Sequence, residues 1–197
     1  MARKVFYSFH FKRDVWRAGQ IRNSRVVADE DEYGVIDAAA WEKIELEGDE
    51  AIKRWINEQL QYTSVTGVLI GSETAERDWV DYEIRRSWER GNGLVGIRIH
   101  NLKNQDRETD MPGRNPLDGV YLADGKPLSS ICKTYDWATD DGSTNLGKWV
   151  EEAFQIRDAY HGETALKAAA VTPLAPRPSF TGPIRTVIKN PPGPWAF

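Results

Sequence analysis

Three runs of β-forming, largely apolar residues constrain this chain more than any other feature: 3–9 (Arg-Lys-Val-Phe-Tyr-Ser-Phe), 64–70 (Ser-Val-Thr-Gly-Val-Leu-Ile) and 94–99 (Leu-Val-Gly-Ile-Arg-Ile). None shows the strict apolar–polar alternation of a half-solvated strand, so each reads as a strand buried on both faces. Helical stretches separate them. Residues 49–62 place Ile52, Trp55, Ile56 and Leu60 at helical spacing. Another helix starts between Ser72 and Asp78 and stops at Gly91, which suits a C′ position. Residues 14–26 read as a helix with Val15, Trp16 and Ile21 as its apolar points. Leu146, Trp149, Val150, Ala153 and Ile156 mark a last helix, capped by Ser143, Thr144 or Asn145. Two shorter strands fit at 34–37 and 131–135, and the polar stretch 101–130 reads as a long loop. Buried strands alternating with helices predict an α/β fold, a flavodoxin-like three-layer sandwich around a central parallel sheet.

In such sheets ligands bind beyond the carboxyl ends of the strands. That directs attention to residues 8–12, 37–41, 71–74 and 100–103. The far end of the chain has another character. Residues 172–197 hold seven of the ten prolines, three basic residues and no acidic one, a composition that excludes helix or central strand. Residues 163–170, rich in Ala, either extend the preceding helix or link it to this tail.

Composition narrows the function classes. A net charge of −4 argues against wholesale binding to nucleic acid or an anionic membrane. No run approaches the roughly 18 apolar residues of a membrane span. The start of the chain is too short and too aromatic for a signal peptide, so a cytoplasmic protein is expected. Cys132 is the single cysteine, expected to be a small buried residue, and His10, His100 and His161 are scattered. Neither gives metal-ligand spacing, so no metal and no bound cofactor are expected.

The helix after the second long run carries Trp79-Val80-Asp81-Tyr82-Glu83. Val80, Ile84 and Trp88 form its buried stripe, and Trp79, Glu83 and Ser87 the adjacent row. Glu83 therefore sits at the edge of the core, with an indole one turn before it and a hydroxyl one turn after. Spacing alone favours a plainer reading, a helix-surface glutamate paired with Arg86 or Arg90.

The ordered set of motifs points further. A strand followed by Trp-x-x-x-Glu on a helix resembles the TIR-domain NAD hydrolases. Together with the segments 3–10, 63–71, Gly96-Ile97-Arg98-Ile99-His100-Asn101 and Tyr135-Asp136-Trp137-Ala138-Thr139-Asp140-Asp141-Gly142, it resembles the TIR-like family of the Thoeris anti-phage systems, in particular their NAD-consuming sensor component. The resemblance covers residues 3–158 in order and leaves the tail out, giving an expected division into a TIR-like catalytic domain, 1–162, and an extension, 163–197. It implies an enzyme that breaks the nicotinamide–ribose bond of NAD and makes a cyclic or conjugated ADP-ribose nucleotide. It also implies self-association on activation and a separate effector that reads the product. NAD would be substrate rather than cofactor.

The chemistry suits a single carboxylate. Glycosidases generally pair an acid with a second carboxylate because their leaving group must be protonated. Nicotinamide in NAD is a pyridinium and leaves neutral, so the enzyme has to orient the ribose and stabilise an oxocarbenium-like transition state. The resemblance assigns that role to Glu83. Around it, Phe9 and His10 follow the first strand, where an aromatic face can stack on a base; Phe9 in the core and His10 at its edge is the alternative. Asp37 follows the second strand, with capping of the next helix as its alternative. Ser72 lies in the stretch 71–74 beyond the carboxyl end of its strand, where a ligand would bind. Asn115, before Pro116, resembles an Asn-Pro motif associated with the family's active site, and an Asx turn explains it as well. Two other functions fit the same residues: a non-catalytic TIR-like adaptor that only self-associates, and a nucleoside deoxyribosyltransferase.

Overall fold

A computed structural model describes residues 3–24, 44 and 46–160. Four parallel strands form its sheet: β1 (Val5–Ser8), β2 (Val65–Ile70), β3 (Gly93–Arg98) and β4 (Thr134–Asp136), in the order β1-β2-β3-β4. The register runs Val5↔Val65, Val65↔Gly93 and Gly96↔Thr134. β2 is interior and every one of its residues is buried, as is every residue of β1. This is the parallel sheet that unalternated apolar runs require. The last strand overlaps the expected 131–135, starting three residues later and ending one residue later. The strand expected at 34–37, with Asp37 at its end, falls outside the described residues, as does the extension 163–197.

Helices cover both faces. Helix α1 (Phe11–Arg22) and helix α4 (Gly142–Tyr160) bury Ala18, Ile21, Leu146, Trp149, Val150 and Ala153 against Val5, Tyr7, Val65, Leu69, Val95 and Ile97. On the other face, α2 (Asp49–Gln61) packs Ile52, Ile56 and Leu60 around Phe6. Helix α3 (Asp78–Arg90) packs Val80, Ile84 and Trp88 on Val68, Ile70 and Leu94. Neighbouring strand residues thus feed opposite cores, the period of two that a pleat imposes. Cys132 is buried in the α3-side core.

Gly91 ends α3 with φ 82° and ψ 29°, the left-handed C′ conformation for which glycine is suited. Two helix starts differ from the sequence reading. Helix α1 begins at Phe11 rather than 14, because the His10 carbonyl accepts the Arg13 and Asp14 amides at 3.2 and 2.8 Å. Helix α4 begins at Gly142, ahead of Ser143, Thr144 and Asn145: the Asp141 carbonyl accepts the Thr144 and Asn145 amides at 3.0 and 2.9 Å. Within the expected long loop, residues 101–130, two short 3₁₀ turns form at Pro116–Gly119 and Leu128–Ser130.

Candidate active site

Glu83 lies on α3 one turn after Trp79, and its carboxylate is buried, with the residue only 7% exposed. The Ser8 hydroxyl, at the carboxyl end of β1, donates to its Oε2 at 2.5 Å. Ser8 is fully buried and comes from the strand next to β2, so the fold joins residues 75 positions apart. Burial pushes the Glu83 carboxyl up to about 8, while the Ser8 hydrogen bond pulls the other way.

That geometry displaces two expectations. The flanking hydroxyl is Ser8 rather than Ser87, whose Oγ lies 2.8 Å from Thr66 Oγ1 and satisfies that buried central-strand hydroxyl instead. The surface ion pair does not form either. Arg86 donates to Asn57 Oδ1 at 2.6 Å and to Glu89 at 3.2 Å, and Arg90 is exposed at the helix end. Trp79 is half-buried, packed against the Phe6–Ile52–Ile56–Leu60 core and set edge-to-face on Tyr82 at 6.0 Å between centroids.

The other sequence candidates fall in different places. Phe9 packs against the α1–α4 core, with the Phe11 ring 6.1 Å away, so the pleat turns it to the face opposite Ser8 and Glu83. His10 stands at the N-cap of α1 with its Nε2 3.7 Å from Glu73 Oε2. Burial first, and then Arg77, pushes its imidazole down to about 4, so the ring is neutral near pH 7 and this contact is not an ion pair. Ser72 follows β2, and its buried Oγ has no hydrogen-bond partner among the described residues. Nearby, the Gly71 amide donates to Thr74 Oγ1 at 2.9 Å, and the Gly113 backbone packs tightly on the Gly71 and Ser72 carbonyls. Asn115 forms an Asx turn: its Oδ1 accepts the Leu117 amide at 3.1 Å, and its Nδ2 donates to Thr134 Oγ1 at 3.0 Å. It thereby ties the loop after β3 to β4.

Sequence reasoning missed a buried charge cluster beside these loops. Asp14 and Arg17 are 0% and 1% exposed, and Arg17 Nη1 reaches Asp14 Oδ1 and Asp110 Oδ2, each at 2.9 Å. The same guanidinium donates to the Leu102 and Glu108 carbonyls at 2.8 and 3.2 Å, clamping the loop after β3 onto α1. Arg13 adds two hydrogen bonds to Asp110, which hold that carboxyl below its usual range. The buried face of α1 therefore carries Asp14, Arg17, Ala18 and Ile21, whereas Val15 and Trp16, expected as apolar points, are 41% and 44% exposed. An acid and a base three residues apart on a predicted helix was the available signal. What it lacked was the partner loop. Among the described residues no group of His, Cys, Asp and Glu could hold a metal ion.

A four-stranded parallel sheet covered by helices, with a buried glutamate one turn after a tryptophan on one of them, fits the class of TIR-like α/β domains. Residues 6–104 match the family model described as "Thoeris protein ThsB, TIR-like domain". The chain is also 35% identical over 191 aligned residues to a protein of Bacillus cereus (strain MSX-D12) named "Putative cyclic ADP-D-ribose synthase ThsB1", covering 76% of this chain and all of that protein. The chain belongs to the Thoeris ThsB TIR-like family.

Proposed function

We propose that this protein cleaves the nicotinamide–ribose bond of NAD and passes the ADP-ribosyl group on to form a cyclic or conjugated nucleotide signal in anti-phage defence, with Glu83 as the catalytic carboxylate. The observation that carries this reading is the environment of Glu83. Its carboxyl is buried, which raises it to about 8 against the pull of one hydroxyl, and no cation among the described residues pairs with it. A carboxylate in that state responds strongly to an incoming positive charge, because low-dielectric surroundings magnify the attraction. The pyridinium of NAD supplies such a charge in the ground state, and the oxocarbenium-like ribose supplies it in the transition state. Glu83 then ionises against the substrate and stabilises the developing cation, and nicotinamide departs neutral without an acid. The relative's name, a cyclic ADP-D-ribose synthase, supports the same reaction class.

In this reading Trp79 walls the nicotinamide side, Ser72 and His10 line the approach, and NAD is substrate rather than cofactor. Phe9 and Asn115 act through packing and loop placement, and Asp37 lies outside the described residues. The nucleotide is read by a separate effector, and the protein self-associates when triggered. The test is incubation of concentrated protein with NAD, and separately with deoxynucleosides, followed by mass spectrometry, repeated on extracts of phage-challenged cells. Nicotinamide together with an ADP-ribose-derived nucleotide is expected. Base exchange on deoxynucleosides would replace this function with deoxyribosyl transfer, and neither product in challenged cells would leave an adaptor.

A further inference from the structure

Ser8 supplies the hydrogen bond that Glu83 accepts among the described residues, at 2.5 Å to Oε2, while Oε1 has no hydrogen-bond partner among those residues. The hydroxyl sits at the end of a strand whose four residues are all buried, so its position is fixed by the sheet rather than by a loop. Having given its proton to Oε2, it has none left to donate to a substrate. From this asymmetry we infer that Ser8 is a positioning residue for the reaction, holding one carboxylate oxygen of Glu83 from the sheet side so that the other is presented to the ribose. The inference rests on the assignment of Glu83 made above.

A glutamate has three side-chain torsions, and a single short hydrogen bond from a rigid strand removes most of that freedom before substrate arrives. The same bond favours the ionised carboxylate over the acid, which no other described group is placed to do. On α3, Asp81 pairs with Arg85, and Arg86 is held by Asn57. Lys53 of α2 pairs with Glu50. Between β2 and α3, Arg77 pairs with Glu73, and Arg114 lies 3.8 Å from Glu76. Arg98 of β3 donates to the Gly113 carbonyl, and His10 is neutral. Asp118, in the 3₁₀ turn packed on α3, carries the same sign of charge as an ionised Glu83 and so could not favour that form. A serine that only filled space would leave the titration of Glu83 unchanged on removal.

The experiment measures two properties of the full chain, parent and Ser8→Ala. One is the titration of the Glu83 carboxyl by carbon NMR of Glu-labelled protein, assigned with Glu83→Gln. The other is the pH profile of nicotinamide release. In Ser8→Ala the titration midpoint is expected to rise by about one pH unit, lowering the ionised fraction at neutral pH about tenfold. Release should fall by at least that factor at pH 7 and recover toward the parent in alkali. Should Ser8→Ala fail to fold, Ser8→Cys keeps the branching with a slightly larger, weaker donor and is expected to shift in the same direction. A midpoint and pH profile identical to the parent's would overturn the positioning role while leaving NAD cleavage intact. A parent that releases no nicotinamide, with the midpoint still shifted in Ser8→Ala, would leave the Ser8–Glu83 link standing and remove the NAD reading alone.

Discussion

Asp14 and Glu83 are both carboxylates buried near the carboxyl edge of the sheet, on helices that cover opposite faces, and their surroundings differ in kind. Asp14 faces a guanidinium: Arg17 reaches it at 2.9 Å and spends its remaining donors on two loop carbonyls and on Asp110. Burial raises the Asp14 carboxyl, while Arg17 acts against that shift through its hydrogen bond and its charge. Glu83 faces a hydroxyl, and burial lifts it to about 8. A buried charge with a matched partner holds a loop in place, because removing either member strands the other. A buried acid without one is costly to ionise, and proteins keep such groups where an arriving ligand supplies the missing charge. The contrast assigns Asp14 to architecture, and the function proposed above assigns Glu83 to chemistry.

The comparison breaks most visibly through Arg17. Arg17→Ala leaves Asp14 buried without its cation and frees the loop after β3, so a loss of about 3–5 kcal/mol is expected. In a chain of this length that is a fall of about 6–20 °C in Tm. A thermal melt with less than a few degrees of change would mean that the cluster does not clamp the loop.

Next in size, Glu83→Asp draws the carboxylate back from the ribose by about an ångström and is expected to cost roughly 10²-fold in nicotinamide release with the fold intact. Kinetics equal to the parent's would mean that position does not matter at Glu83.

The pH dependence of stability sharpens the contrast further. Glu83 binds its proton more tightly folded, at about 8, than unfolded, where a carboxyl titrates near 4.5. Its contribution is therefore fully present below pH 4.5 and is lost as pH rises through about 8. Parent minus Glu83→Gln melting temperatures, measured by calorimetry, should accordingly be flat below pH 4.5, fall between 4.5 and about 8 and level off above that. A difference independent of pH would mean that Glu83 is solvated. The smallest effect is the control. Glu76→Gln, on an exposed residue before α3, should change stability by less than about 0.5 kcal/mol and leave release unaltered.

What the sequence could reveal followed from how local each signal is. The three long runs became β1, β2 and β3 because apolar strands without alternation have few other ways to be buried. The helix expected at 49–62 formed at Asp49–Gln61, and Gly91 closed α3, since stripe and cap are both written within a dozen residues. The stripe placed Glu83 at the edge of the core, but spacing alone favoured a surface glutamate, and the family resemblance gave it its role. Its partner was not, because nothing in the sequence says that the pleat turns Ser8 rather than Phe9 toward α3. The Asp14–Arg17 pair was overlooked for a related reason. A buried arginine looks like a surface one until the loop carbonyls that satisfy it, more than 80 residues away, are in place.

The central claim, that Glu83 is held for chemistry rather than for the fold, is tested most directly by Glu83→Gln assayed for nicotinamide release and for thermal stability on the same preparation, under conditions in which the parent is active. The substitution keeps the size and the hydrogen-bonding reach to Ser8 and removes only the capacity for charge. Release should fall by about 10²–10³-fold or more, with a Tm equal to or above the parent's at pH 8. Release at the parental rate, or a variant that no longer folds, would contradict the account.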